Sequence, residues 1–188
     1  MNTEHYDVLI VGGGPGGISA ASKVVLRGKT AIIINDGALM GYGIEGAFKS
    51  KAGYEIAREY LHIKYRDDVF GHIPVMDFSK LQRGIKRSAA SLTSMLETRL
   101  QRLDVRVVQG EATFVDAHKV AVDDKEFSGD HIVIATGTRP RILPNLVIDG
   151  KRVITSDEVI NLSNSPKSVL ILGAGVIGCE FASMFNAV

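Results

Sequence analysis

With 188 residues, 45% of them hydrophobic and 23% charged, and a formal net charge of +1, the chain has room for one sizeable domain, or for a domain and a piece of another. The near-neutral balance argues against a nucleic-acid or anionic-membrane partner, which calls for a dense basic patch. A single cysteine, Cys179, excludes a disulfide within the chain; the start also lacks the basic region and cleavage site of a secretion signal, so the reading is cytoplasmic and reducing.

In chain order, "YDVLIV" (6–11) is a short apolar run of strand type, followed by a glycine-rich turn. "GISAASKVVLRG" predicts a helix closed by Gly28, and "TAIIIN" (30–35) predicts a second buried strand. Strand, turn, helix and strand in this order form a βαβ unit. Residues 50–65 predict a helix. "HIPVMD" predicts an extended connector, because Pro74 breaks helices. The amphipathic stretch 77–104 predicts a long helix with Asp77 as its N-cap and its Lys and Arg on a solvated face.

"VRVVQGEATFVDAHKVAV" alternates and carries turn signals, so it predicts strands of a small antiparallel layer. "HIVIATGTRP" predicts another buried strand ending in a glycine turn. A polar connector rich in Pro, Asn, Ser and Asp follows. The apolar tail 168–188 predicts a second strand, glycine turn and helix; Glu180 interrupts it, so it is not a membrane span. The histidines His5, His62, His72, His118 and His131 show no metal-ligand spacing, and no metal site is expected.

Two turns carry the chemistry. Gly12-Gly13-Gly14-Pro15-Gly16-Gly17 satisfies G-x-G-x-x-G between a predicted strand and helix, the context that makes this motif specific for a dinucleotide. Gly12 permits the tight turn, Gly14 lets a pyrophosphate approach the backbone, and Gly17 lets helix and strand pack closely. Pro15 and Gly16 open the helix, whose N-terminal N–H groups and dipole favour the anion. The acidic residue that should follow the second strand and hold ribose hydroxyls is Asn35 here, with Asp36 next. Either Asp36 takes over, or the ribose contact is weaker for want of a charge; taken alone, Asn-Asp-Gly is also a turn sequence. Gly173, Gly175 and Gly178 repeat the motif. The residue that would separate NAD from NADP lies about 20 residues further on, beyond the chain.

These two motifs, with "GEATF", "ATGTRP" and "LGAGVIGCEFA", resemble the class I pyridine nucleotide–disulfide oxidoreductases, the dihydrolipoamide dehydrogenase-like family, over essentially the whole chain. The resemblance implies an α/β fold: a Rossmann-like FAD-binding domain, a parallel sheet with a small antiparallel layer, plus the start of a second Rossmann unit for NAD(P). It assigns residues 1–148 to the first segment of the FAD domain and 149–188 to a connector and the opening of the NAD(P) domain. It implies FAD at the first motif, with backbone contacts at Ala112 and at Thr136 and Gly137, and NAD(P) at the second motif.

In this family the loop after the second strand carries the redox cysteines. In "GYGIEGAFKSKA" (41–52), with one residue deleted, Gly43 and Ala47 stand in their places and Lys49 replaces a proline. Ser50, Lys51 and Ala52 match. Lys51 resembles the family lysine near flavin N5, and Glu180 is its partner by position; such a cation tunes the flavin. Disulfide exchange needs two sulfurs, so the resemblance narrows to a cysteine-less branch like the soluble pyridine nucleotide transhydrogenases, with hydride passing between NAD(P)H and an acceptor through flavin. The alternative is a non-catalytic nucleotide-binding remnant. Cys179 is read as a small buried residue. The chain reads as an N-terminal fragment, inactive alone, of an enzyme expected to be a homodimer. Its terminal strand and helix are expected to dock on the flavin lobe, pair with another chain, or stay disordered.

Overall fold

The computed structural model describes residues 3–72 and 75–187, with the backbone alone at 67 and 70. The chain divides into two compact units, 1–43 with 92–139, and 44–91 with 140–188. These are units of packing; the division expected at residue 148 rests on the glycine motifs instead.

The first unit is built on a six-stranded sheet in the order β3-β2-β1-β6-β5-β4. Its strands are β1 (Glu4–Val11), β2 (Ala31–Asn35), β3 (Arg106–Gln109), β4 (Thr113–Asp116), β5 (Lys119–Val122) and β6 (Lys125–Ile134). β2, β1 and β6 pair in parallel, with Leu9 opposite both Ile32 and Ile132. The continuous apolar run of β2 is buried at every residue, as a strand covered on both faces requires. One side of the sheet packs Leu9, Ile32, Ile34, Val120 and Phe127. The other packs Ile10 and Ile33 with Ile18 and Ala21 of helix α1 (Pro15–Val25) and with Leu100. Gly28, at φ 74°, closes α1 and donates its N–H to the Val25 carbonyl.

The antiparallel part is smaller than the sequence pattern suggests. β4, β5 and β6 are antiparallel, but β3 pairs in parallel with β2, from Ile32↔Arg106 to Asn35↔Gln109. Alternation marks a strand and is silent about its neighbour's direction. The direction follows from the long helix that precedes β3, which returns the chain to the end of the sheet where β2 begins.

In the second unit, α2 (Lys49–Lys64), the opening turns of α4 (Phe78–Arg102), α5 (Ser156–Val159) and α6 (Val176–Ala187) enclose a core of Ala57, Leu81, Ile85, Val159, Ile160, Phe181 and Met184. A four-residue helix, α3 (Asp67–Phe70), follows α2. The expected connector over 72–77 includes Ile73 and Pro74, which lie outside the described residues. Asp77 caps α4 as expected: its Oδ1 accepts the N–H of Ser79 at 2.9 Å and of Lys80 at 3.2 Å. Gly53 of α2 faces α6 so closely that a Cβ there would stand 2.8 Å from Met184 Sδ. Burying a side chain such as Phe181 or Met184 is worth about 1.5–3 kcal/mol, which holds α6 in place.

Two expectations for the tail need correction. The segment 168–172 is not a strand: it has no sheet partner among the described residues, and Leu170 is 86% exposed. A run of strand-forming residues stays irregular without a ladder to satisfy its backbone. Cys179 is exposed, not buried, because the inward stripe of α6 falls on Phe181, Met184 and Ala187.

Asp7, midway along β1, is tied to the residues that lead into β2. Its carboxylate accepts from Lys29 Nζ at 2.8 Å, from Thr30 N–H at 2.7 Å and from Thr30 Oγ1 at 2.8 Å. The Lys29 hydrogen bond, then the two from Thr30, hold this carboxyl far below the usual carboxylate range. The resulting stability is complete above the unfolded-state value of about 4 and is lost as the pH falls from there through the folded-state value. Asp7→Asn is therefore expected to lower the melting temperature at neutral pH, with the gap from the wild type closing as the pH is brought below about 4. Thermal unfolding of both proteins across pH checks this.

Candidate dinucleotide turn and lysine–glutamate pair

The turn between β1 and α1 is set by backbone packing. Gly12 has φ 110° and donates its N–H to the Ile34 carbonyl at 2.8 Å; a Cβ on it would collide with the Ala135 carbonyl. A Cβ on Gly17 would collide with the carbonyl of Gly12. These two glycines are required by the protein's own atoms. Gly14 is different. It is the N-cap of α1 at φ −75°, with no side-chain cap, and the nearest atom to a Cβ there is the Ala135 oxygen at 4.0 Å. Nothing in the fold demands glycine at this position, so the open approach suits a ligand. Pro15, Gly16 and Gly17 form the first turn of α1, which contains no acidic residue. An anion is therefore met by free N–H groups and not by a competing carboxylate. These residues fit a pyrophosphate.

Asn35 ends β2 and is 8% exposed. Its Oδ1 accepts the Gly13 N–H at 2.7 Å and its Nδ2 donates to the Gly37 carbonyl at 2.8 Å. Asp36 is exposed beside it. Ala112 packs at the edge of the sheet core, and Thr136 and Gly137 (φ 75°) follow β6 next to the Gly12 turn.

The second motif folds the same local turn without a sheet behind it. Gly173 has φ 112°, close to Gly12, and a Cβ on Gly178 would collide with the Gly173 carbonyl as one on Gly17 would with Gly12. The N–H of Cys179 bonds the Gly175 carbonyl at 3.0 Å, as that of Ile18 bonds Gly14 at 2.9 Å. Gly175 has open space where a Cβ would be.

Residues Gly43–Phe48 form a π-helical turn leading into α2, a rare geometry that is frequent at functional sites. A Cβ on Gly43 would lie 2.5 Å from Pro15 Cγ, so no side chain fits there unless the proline moves. Ala47 follows one turn on. Lys49, although buried, has its ammonium paired with Glu45.

The structure brings Lys51 and Glu180 together, with Nζ 3.3 Å from Oε1. The other carboxylate oxygen, Oε2, accepts from Ser50 Oγ at 2.9 Å. The Glu180 side chain is 15% exposed and that of Lys51 is 55% exposed, so the carboxylate is fixed and the ammonium reaches solvent. Ser50, 2% exposed, is the member that motif reading passes over; the signal was its place beside Lys51 in the matching Ser-Lys-Ala. Among the described residues no group of His, Cys, Asp and Glu is arranged to hold a metal, and no helix is long and apolar enough to cross a membrane.

The sequence profile of the pyridine nucleotide-disulphide oxidoreductases matches residues 6–188. The chain belongs to this family. Members of the family use FAD and NAD(P). A soluble pyridine nucleotide transhydrogenase of Photorhabdus laumondii is 34% identical over 99% of the chain, and a dihydrolipoyl dehydrogenase of Bacillus subtilis is 32% identical over 94%. The match spans 42% and 40% of those proteins, so the chain corresponds to less than half of either. Among solved structures, the HOCl-induced flavoprotein disulfide reductase RclA of Escherichia coli has a TM-score of 0.81 at 26% identity, covering 100% of the chain and 41% of its own. LpdA of Mycobacterium tuberculosis has a TM-score of 0.85 at 24% identity, covering 98% and 43%, a likeness of fold.

The glycines of this family motif separate into two kinds, and substitution should expose the difference. Gly17→Ala forces a side chain onto the Gly12 carbonyl and is expected to cost about 1–3 kcal/mol of stability. Gly14→Ala has space and is expected to cost less than about 1 kcal/mol, the range of an N-cap change, while weakening ADP binding. Denaturant unfolding and calorimetric titration with ADP measure both.

Proposed function

We propose that these residues supply the FAD-binding segment and the opening of the NAD(P)-binding segment of a flavin-dependent NAD(P)H oxidoreductase of transhydrogenase type. In this reading residues 1–148 belong to the first and 149–188 to the second. The full-length protein is a homodimer that works without a dithiol. FAD held by these residues would supply the hydride-accepting and hydride-donating chemistry. The N-terminal amides of α1 and the open approach at Gly14 hold its pyrophosphate, with backbone at Ala112, Thr136 and Gly137 and the exposed carboxylate of Asp36 at the nucleoside. Gly173, Gly175 and Gly178 do the same for the nicotinamide dinucleotide.

The Lys51–Glu180 pair carries this reading. Glu180, fixed by Ser50, directs the Lys51 ammonium; the family resemblance assigns this lysine to flavin N5, where a cation stabilises the negative charge of a reduced flavin. The loop that holds the family's cysteines has no sulfur, and Gly43 has no room for one beside Pro15. The cation at Lys51 and the loop without sulfur together favour hydride transfer between nucleotides through flavin over disulfide chemistry.

The test is hydride transfer from NADPH to an NAD+ analogue by the full-length protein, followed at the analogue's own absorption. Turnover with bound flavin, and no reduction of lipoamide, is expected. Lys51→Met should slow it about tenfold, about 1.4 kcal/mol in barrier, with flavin retained. Absence of bound flavin, or reduction of lipoamide in place of nucleotide, overturns the reading.

A further inference from the structure

Asn35 occupies the position where the motif places a ribose-binding acid, yet both ends of its amide are taken by the backbone. The bonds form a relay. Asn35 Oδ1 holds the Gly13 N–H, the Gly13 carbonyl accepts the Met40 N–H at 2.7 Å, and the Met40 carbonyl accepts the Gly43 N–H at 2.7 Å. Asn35 Nδ2 holds the Gly37 carbonyl at the other end of the same loop. The Gln109 amide, oriented with its nitrogen toward the loop, adds bonds to the Asn35 and Gly37 carbonyls at 3.0 and 2.9 Å. A Cβ on Gly13 would stand 2.9 Å from the Asn35 amide carbon and 2.7 Å from Leu39 Cδ2, so the turn, the asparagine and the loop are in direct contact.

This arrangement needs an acceptor facing Gly13 and a donor facing Gly37. An amide provides both. A carboxylate provides only the first, and sets two acceptors face to face in a buried position, which costs the full desolvation of an unsatisfied group. A carboxylate would also put a negative charge beside the turn that receives the phosphates.

We propose that Asn35 is a positioning residue of the first glycine turn: it fixes the Gly13 N–H and the 37–43 loop in place of binding the adenosine ribose. The inference rests on the reading of that turn as a dinucleotide site. It reverses the expectation from the family pattern, since restoring the acid should weaken the site.

The probe is ADP, which carries the ribose and pyrophosphate of either dinucleotide, with 2′-deoxy-ADP as its control. Titrations use the whole chain and Asn35→Asp across pH. At neutral pH Asn35→Asp should bind ADP at least about tenfold more weakly than the wild type. Relative to the wild type, its binding should recover in acid, where the protonated carboxyl regains a donor for Gly37. The ratio of ADP to 2′-deoxy-ADP affinity should be the same in both proteins. Tighter ADP binding by the variant, with a larger ratio, overturns the proposal and returns residue 35 to the ribose. If the wild type binds no ADP, the dinucleotide reading of the turn fails, and thermal unfolding judges the clamp separately. A melting temperature lowered at neutral pH and restored in acid supports it. One unchanged at both pH values overturns it.

Discussion

In the first unit, the carbonyl of Gly12 and the Cα of Gly17 approach so closely that no side chain can stand between them. This contact fixes where α1 begins and how it leaves β1. The end of β1 is bonded on both sides, Gly12 N–H to Ile34 and Ala135 N–H to Val11, so the turn inherits the geometry of three parallel strands. Its open point, Gly14, then lies at the start of a helix whose N–H groups have no side-chain cap. A helix start with free N–H groups and an open approach therefore arises from packing alone.

The second glycine motif shows that the turn is a local structure and the site is not. Gly173 and Gly178 reproduce the same approach, and Cys179 reproduces the first helical hydrogen bond. The segment before them, 168–172, has nonetheless no ladder, and Leu170 and Leu172 remain exposed. Helix α6 is held by Phe181 and Met184 against α2 and α4, within its own unit. A six-residue motif can fold its turn, whereas a strand requires neighbours.

The loop 41–52 is tied down at both ends by its own contacts. Gly43 packs its backbone on Pro15, and Lys49, the first residue of α2, forms an ion pair with Glu45. What the family resemblance keeps, Ser50 and Lys51, is bound to Glu180 of α6. The lysine is set by a partner far away in sequence.

The sequence by itself determined the βαβ unit, the helix caps at Gly28 and Asp77, the two glycine turns and the family, because each rests on short-range chemistry or on spacing within one element. The match of Lys51 with Glu180 was also legible, as two motif positions. Tertiary structure alone decided the direction of β3, which alternation cannot encode, and the irregular state of 168–172, which depends on a partner strand. It decided the outward placement of Cys179 through the stripe that α6 buries. It also decided the bonds of Asn35: whether an amide at the end of β2 is free for a ligand depends on which backbone groups the loop 37–43 brings against it.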